Sequence, residues 1–160
     1  MSEVDAFVGL GANLGPAATT LTAAFAALCG LPHTRLVARS SLYRSAPIDA
    51  DGPDYVNAAA WIRTALGPAE LLAGLQAIEL AHGRERPYPN APRTLDLDLL
   101  LYGRSSIDEP GLTVPHPRLH LRAFVLAPLA EIAPLLEIAG LGRVKELLAG
   151  VEAQRVDRLA

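Results

Sequence analysis

The stretch TLDLDLLLY, residues 94–102, sets Asp96 and Asp98 inside one of the most apolar segments of the chain. A buried carboxylate costs several kcal/mol unless something positive meets it. Alternate residues of a strand share a face, so the two aspartates point the same way, ~7 Å apart along the chain. Leu100 and Tyr102 continue that face, while Leu95, Leu97, Leu99 and Leu101 make the other, which must be core. One reading is a half-exposed strand with two solvated or arginine-paired aspartates. The other is a pair of hard oxygen donors spaced to bridge two Mg²⁺ ions ~4 Å apart, an arrangement used on transferring phosphoryl groups. A glycosidase-type acid/base pair fits less well, because such carboxylates face each other across a cleft.

The arginines favour the second reading. Arg84, Arg86, Arg93, Arg104, Arg118 and Arg122 cluster around the acidic strand, and two carboxylates account for no more than two of them as ion-pair partners. Arginine forks flanking a metal pair suit a polyphosphate. Lys145 is the only lysine, and no Walker-type glycine loop ending in Gly-Lys occurs, so any polyphosphate must be gripped by arginine and metal. VPHPRLHLR brings His116 and His120 four residues apart, but Pro117 intervenes and no third nitrogen or sulfur ligand accompanies them, which argues against zinc. Contact of His116 with a phosphate or leaving group suits the segment better.

These residues need elements to position them. DAFVGLGANLG reads as a strand leaving the core; its glycines miss the dinucleotide fingerprint, because the third, Gly15, comes one position too late. PAATTLTAAFAALCG is a helix between Pro16 and Gly30, with Ala17, Leu21, Ala24, Phe25 and Leu28 as its apolar stripe. TRLVARSSLYRS reads as one strand. DYVNAAAWIRTAL is a second, with Val56, Ala58, Ala60 and Ile62 on one face and Tyr55, Asn57, Ala59 and Trp61 on the other. PAELLAGLQAIELAHG is a helix, and the proline-broken RERPYPNAPR delivers the chain to the acidic strand. Strand, helix, strand, strand, helix, strand is the order of a ferredoxin-like plait, a βαββαβ antiparallel sheet of the α+β class. Additional C-terminal helices over the other face make a three-layer αβα arrangement.

Composition bounds the rest. At 160 residues, a single domain spanning 1–160 is expected. A net charge of −3 argues against nucleic acid as a partner. No apolar run reaches the roughly 20 residues of a membrane helix. The N-terminus lacks a signal-peptide pattern and Cys29 is the only cysteine, which together point to the cytoplasm.

PRTLDLDLLLYG, supported by LTVPHPRLHLRAF, SSLYRSAPI and DYVNAA in the same order, resembles the 6-hydroxymethyl-7,8-dihydropterin pyrophosphokinase family of folate biosynthesis. The resemblance runs from GLGANLG to FVLAPLAEIAP. It implies transfer of the β,γ-pyrophosphate of ATP to the hydroxymethyl oxygen of the pterin, releasing AMP, with Mg²⁺ as cofactor; a monomer is expected as the working unit. Carried over by motif, Asp96 and Asp98 would hold two Mg²⁺ ions, and Arg84 and Arg93 would grip phosphates as catalytic residues. Gln76, Glu79, Arg86, His116 and Arg122 would line the ATP site. Asn57 would read the pterin edge, Tyr55 and Phe124 would sandwich its ring, and Ser45, Pro47 and Ile48 would complete the pocket. Loops 45–53 and 84–92 would act as lids. The chain departs from the family in having Asn90, Pro117 and Gly111 where tryptophan, an aromatic residue and arginine often stand. Two rivals share the residues: a metal-dependent phosphohydrolase with water as nucleophile, and a plait-type nucleotide sensor without turnover.

Overall fold

The computed structural model of the chain describes residues 2–13, 16–46, 54–82 and 95–159. Strand β1 (Val4–Ala12) is followed by helix α1 (Ala17–Cys29), strands β2 (Thr34–Arg39), β3 (Tyr43–Ser45) and β4 (Tyr55–Thr64), helix α2 (Pro68–Ala81) and strand β5 (Asp96–Tyr102). A hairpin of β6 (Ile107–Glu109) and β7 (Leu112–Val114) then leads through a 3₁₀ turn (Leu119–Leu121) into helix α3 (Ala123–Ile132). The two-residue strands β8 (Glu137–Ile138) and β9 (Gly142–Arg143), helix α4 (Val144–Ala149) and strand β10 (Val156–Arg158) complete the described chain.

The main sheet runs β10–β3–β4–β1–β5, and β2 adds to the far half of β4. Every pairing in it is antiparallel. The class is therefore α+β, with helices on both sheet faces. Under one face, Val8, Leu10, Ala58, Ala60, Ile62, Leu97 and Leu99 pack on Leu21, Phe25 and Leu28 of α1 and Leu71, Leu75 and Ile78 of α2. Under the other, Phe7, Ala59, Leu100 and Leu101 pack on Leu126 and Leu129 of α3 and Val144 of α4, with Trp61 beside them. Each large side chain removed from water here contributes roughly 1.5–3 kcal/mol.

Local chemistry fixes the helix ends. Pro68 opens α2, where its missing N–H would have had no partner. Glu70 reaches back to accept the Gly67 N–H at 3.1 Å, half of a capping box, since glycine has no side chain to complete it. Gly30 closes α1 by donating its N–H to Ala27.

Two details differ from the pattern read in the sequence. TRLVARSSLYRS is two strands: at Ser40 the backbone N–H still donates to the Ala59 carbonyl at 2.9 Å, but the Ala59 N–H is accepted by the Ser40 Oγ at 2.9 Å in place of a backbone carbonyl, which interrupts the ladder. Strict alternation along β5 also ends before the strand does. The β1–β5 register shifts between Phe7 and Val8, so Leu101 opposes Phe7 and Leu99 opposes Val8, leaving Leu100 as the extra residue of a bulge. Leu101 thereby joins Leu100 under α3, and Tyr102 turns to the α1–α2 face, its hydroxyl donating to the Leu66 carbonyl. The leucine face of β5 is Leu95, Leu97 and Leu99.

Candidate active site

The cleft is a consequence of strand register. On the α3 face of the sheet, β1 carries glycine at positions 9 and 11 where Phe7 precedes them. Gly11 lies between Asn57 of β4 and Asp96 of β5, and Gly9 lies between Ala59 and Asp98. Two bare rows therefore open at the centre of the sheet, with an amide on one side and two carboxylates on the other. A Cβ at Gly11 would stand 3.5 Å from the Asn57 Oδ1. The resulting cavity, about 220 Å³, is also lined by Ser45, Ala46, Tyr55, Leu100, Arg122, Phe124 and Val125.

Asp96 is partly exposed and Asp98 exposed, so the cleft offers two carboxylates that water or a cation can reach. Between them, the Leu97 N–H donates to Oε2 of the buried Glu79 on α2 at 2.9 Å. Glu79 thus fixes the backbone from which both aspartates project. Asn57, itself buried, donates from Nδ2 to the Ser45 Oγ at 2.7 Å. That bond turns the carbonyl oxygen of Asn57 toward Gly11 and the cleft floor, presenting an acceptor to a ligand's donors.

On the opposite wall Arg122 occupies the junction between the 3₁₀ turn and α3, with its guanidinium 5.5 Å from the Phe124 ring centroid. His116 is held by its backbone N–H to the Leu100 carbonyl at 3.0 Å. Burial pushes the His116 imidazole below its usual pKa; the Asp98 charge opposes that, while Arg122 and Arg118 add to it. The ring therefore stands within electrostatic reach of Asp98 and Arg122, favouring its neutral form.

The structure brings together Ser45, Tyr55, Asn57, Asp96, Asp98, Arg122 and Phe124 in one cleft, with His116 beside it. Gln76 is exposed on α2, and neither it nor Glu79 lines the cavity. Arg104 lies beyond the far end of β5 in a separate shallow depression with Glu137, away from the aspartates. Arg84, Arg86, Arg93, Pro47 and Ile48, like most of loop 45–53 and all of loop 84–92 with Asn90, lie outside the described residues. Gly9 and Gly11 are site residues that motif reading passed over; a Gly-x-Gly inside a strand is itself a sign of close backbone approach to a ligand.

Mg²⁺ fits the donor set. No group of three or more His, Cys, Asp or Glu side chains converges among the described residues. Two carboxylates on one strand face suit a cation that keeps several waters and takes its other oxygens from a phosphate.

An antiparallel sheet with helices on both faces, opened at its centre into a cleft of two carboxylates, an amide, an arginine and aromatic rings, defines a small α+β protein with a polar, partly aromatic cleft. The chain belongs to the family described as 7,8-dihydro-6-hydroxymethylpterin-pyrophosphokinase (HPPK), whose model matches residues 7–134. It is 47% identical to the 2-amino-4-hydroxy-6-hydroxymethyldihydropteridine pyrophosphokinase of Pseudomonas aeruginosa over 96% of this chain and 95% of that one. It is 45% identical to the Haemophilus influenzae enzyme of the same name, over 91% of each. Among solved structures it superposes on an HPPK-DHPS in complex with substrates (TM-score 0.78, 12% identity, 96% of this chain and 44% of that one). Wild-type Plasmodium falciparum HPPK-DHPS with SDX-DHP gives a TM-score of 0.76 at 12% identity, over 93% of this chain and 44% of that one. The chain thus spans less than half of those two proteins, and at such identity they speak for the fold alone.

Proposed function

We propose that this cleft carries out the reaction of the family: transfer of the β,γ-pyrophosphate of ATP to the hydroxymethyl group of 6-hydroxymethyl-7,8-dihydropterin, in folate biosynthesis. The observation that carries the site reading is the pair of glycine rows, Asn57–Gly11–Asp96 and Ala59–Gly9–Asp98. They place a hydrogen-bond acceptor for a flat heterocycle across a bare floor from two carboxylates. Asn57 takes the donor edge of the pterin, and Tyr55 and Phe124 contact its ring faces. The hydroxymethyl group then points toward Asp96 and Asp98, where the triphosphate must lie.

The alcohol oxygen attacks the β-phosphorus, the bond from that phosphorus to the α,β-bridging oxygen breaks, and AMP departs with the oxygen. Asp96 and Asp98 would hold Mg²⁺, two ions in our reading, which neutralise phosphate charge and lower the pKa of the attacking alcohol when bound. Arg122 adds fixed positive charge, and neutral His116 can donate a hydrogen bond to a phosphate oxygen without bringing a charge that would oppose Arg122. On sequence grounds Arg84, Arg86 and Arg93 supply the remaining phosphate contacts, and Gln76 and Glu79 belong to the nucleotide side. Holding the two reactants in line supplies much of the rate.

Three structural readings accompany this. Taking β2 and β3 as one interrupted strand, the order β5–β1–β4–β2/β3 supports a ferredoxin-like plait. We read residues 1–160 as one domain acting as a monomer. The single cysteine, Cys29, and the substrates suit the cytoplasm.

The test is to incubate the protein with ATP, Mg²⁺ and the pterin and identify the nucleotide product by chromatography. AMP formed only with pterin, and lost in Asp96→Ala and Asp98→Ala, supports the assignment. ADP, or AMP without pterin, overturns it in favour of a kinase or hydrolase.

A further inference from the structure

Gln154 lies on the C-terminal segment, twenty residues beyond the part of the chain that the family model matches. Its side-chain amide forks across the cleft wall. Oε1 accepts the Ala123 N–H at 3.0 Å, and Nε2 donates to the Leu121 carbonyl at 2.8 Å. The residue between those two is Arg122, and the next is Phe124.

The junction needs such a brace. Ala123 is the first residue of α3, so its N–H has no partner within the helix, and no side chain at Arg122 caps it. Leu121 ends the 3₁₀ turn, and its carbonyl likewise looks outward. Arg122 takes an extended conformation, φ −126° and ψ 113°, between two helical segments of different pitch. Water can satisfy the N–H and the carbonyl separately, but it does not hold them at a fixed separation. One planar amide bonded to both does.

The segment carrying Gln154 is anchored on the other side of the cleft as well. Two residues on, β10 pairs with β3 in the register Val156↔Ser45, and Ser45 is the residue that orients Asn57. Farther along, the Leu159 N–H donates to the Leu42 carbonyl at 2.8 Å. A single stretch of chain thus ties the Arg122–Phe124 wall to the Ser45–Asn57 wall.

We propose that Gln154 is a positioning residue for pyrophosphoryl transfer, holding Arg122 and Phe124 at the spacing from Asn57 that a bound pterin requires. The inference rests on the reading of this cleft as the pterin site. Because Gln154 is exposed, its loss removes geometry from the site and little from the core.

The experiment compares wild type, Gln154→Ala and Gln154→Glu in the full chain. It measures kcat and KM for pterin and ATP, the Kd for pterin with α,β-methylene ATP present, and Tm. Losing two hydrogen bonds that act on the site predicts a fall of about tenfold in kcat/KM for pterin and a matching rise in its Kd. Gln154→Glu still accepts from Ala123 but cannot donate to Leu121, so its loss should be about threefold. Introduced into Phe124→Ala, Gln154→Ala should change the pterin Kd less than about twofold, because of the two residues it positions Phe124 is the one that contacts the pterin ring. Wild-type kcat/KM in Gln154→Ala, or the same tenfold loss with and without Phe124, overturns the proposal. If Phe124→Ala and Asn57→Ala both bind pterin as wild type does, the cleft reading itself has failed, and this inference goes with it.

Discussion

The Leu97 amide nitrogen lies 2.9 Å from Oε2 of Glu79, a side chain only 3% exposed, so the peptide between the two aspartates is held by a buried carboxyl group on α2. Replacing Glu79 by alanine leaves that N–H without its acceptor and a void beside β5. The predicted cost is about 3 kcal/mol, read as a lower urea midpoint at unchanged slope. Glu79→Gln retains a carbonyl acceptor and should lose about 1 kcal/mol. Glu79→Ala should lose AMP-forming activity while still folded, since the peptide between Asp96 and Asp98 is no longer pinned, whereas Glu79→Gln should keep most of it. A Glu79→Ala protein as stable and as active as wild type would contradict this role.

Asn57 and Ser45 make a separable prediction on the pterin side. Asn57→Ala removes the acceptor and should raise the pterin KM by about tenfold or more, with the ATP KM nearly unchanged. Ser45→Ala leaves Asn57 in place but frees its amide to turn, so the rise should be smaller, about threefold. Equal shifts in both substrates' KM values would show that Asn57 supports the cleft generally and does not read the pterin.

Gly11 tests the idea that the cleft exists because side chains are missing. An added methyl would sit 3.5 Å from the Asn57 Oδ1, an ordinary contact, so Gly11→Ala should fold with a Tm close to wild type. The methyl nevertheless occupies the floor between Asn57 and Asp96, and Gly11→Val fills more of it. The expected series is falling pterin affinity from glycine to alanine to valine at nearly constant stability. Pterin affinity that ignores the series would place the ligand elsewhere.

What the sequence made legible was mostly local. Proline and glycine bounded α1, and proline marked the start of α2; period two divided β4 into a core face through Ala58, Ala60 and Ile62 and a site face through Tyr55 and Asn57. The pairing of Asp96 with Asp98 needed only the alternation of one strand. What escaped depended on partners distant in sequence. The bulge at Leu100 is set by how β5 meets Phe7 and Val8 of β1, and no pattern within LDLDLLLY announces it. The glycine rows require the register of three strands at once. Gln154, in a tail whose sequence suggested only additional helices, gains meaning from a 3₁₀–helix junction more than thirty residues earlier.

Away from the cleft, Glu131 of α3 gathers the Ser41 N–H at 3.0 Å, the Ser41 hydroxyl at 3.1 Å and the Tyr43 hydroxyl at 2.6 Å, with Arg158 of β10 at 3.8 Å. Burial pushes the Glu131 carboxyl up, but these hydrogen bonds and the Arg158 charge outweigh it and leave the pKa below the usual 4.5. Burial pushes the Tyr43 phenol up, and its bond to Glu131 adds to that, reaching about 12 against an ordinary 10.0. The signs give two limbs. A depressed carboxylate contributes stability that is present above pH 4.5 and lost as pH falls through its folded value; a raised phenol contributes stability present below pH 10.0 and lost as pH rises toward about 12. Tm should therefore decline at both extremes. Glu131→Gln should flatten the acid limb, and Tyr43→Phe the alkaline one. Because Arg158 and Ser41 flank the β3–β10 edge that carries Ser45, Glu131→Gln should also raise the pterin KM modestly at neutral pH. Acid and alkaline limbs that both survive in the Glu131→Gln, Tyr43→Phe double variant would assign the pH dependence to other groups.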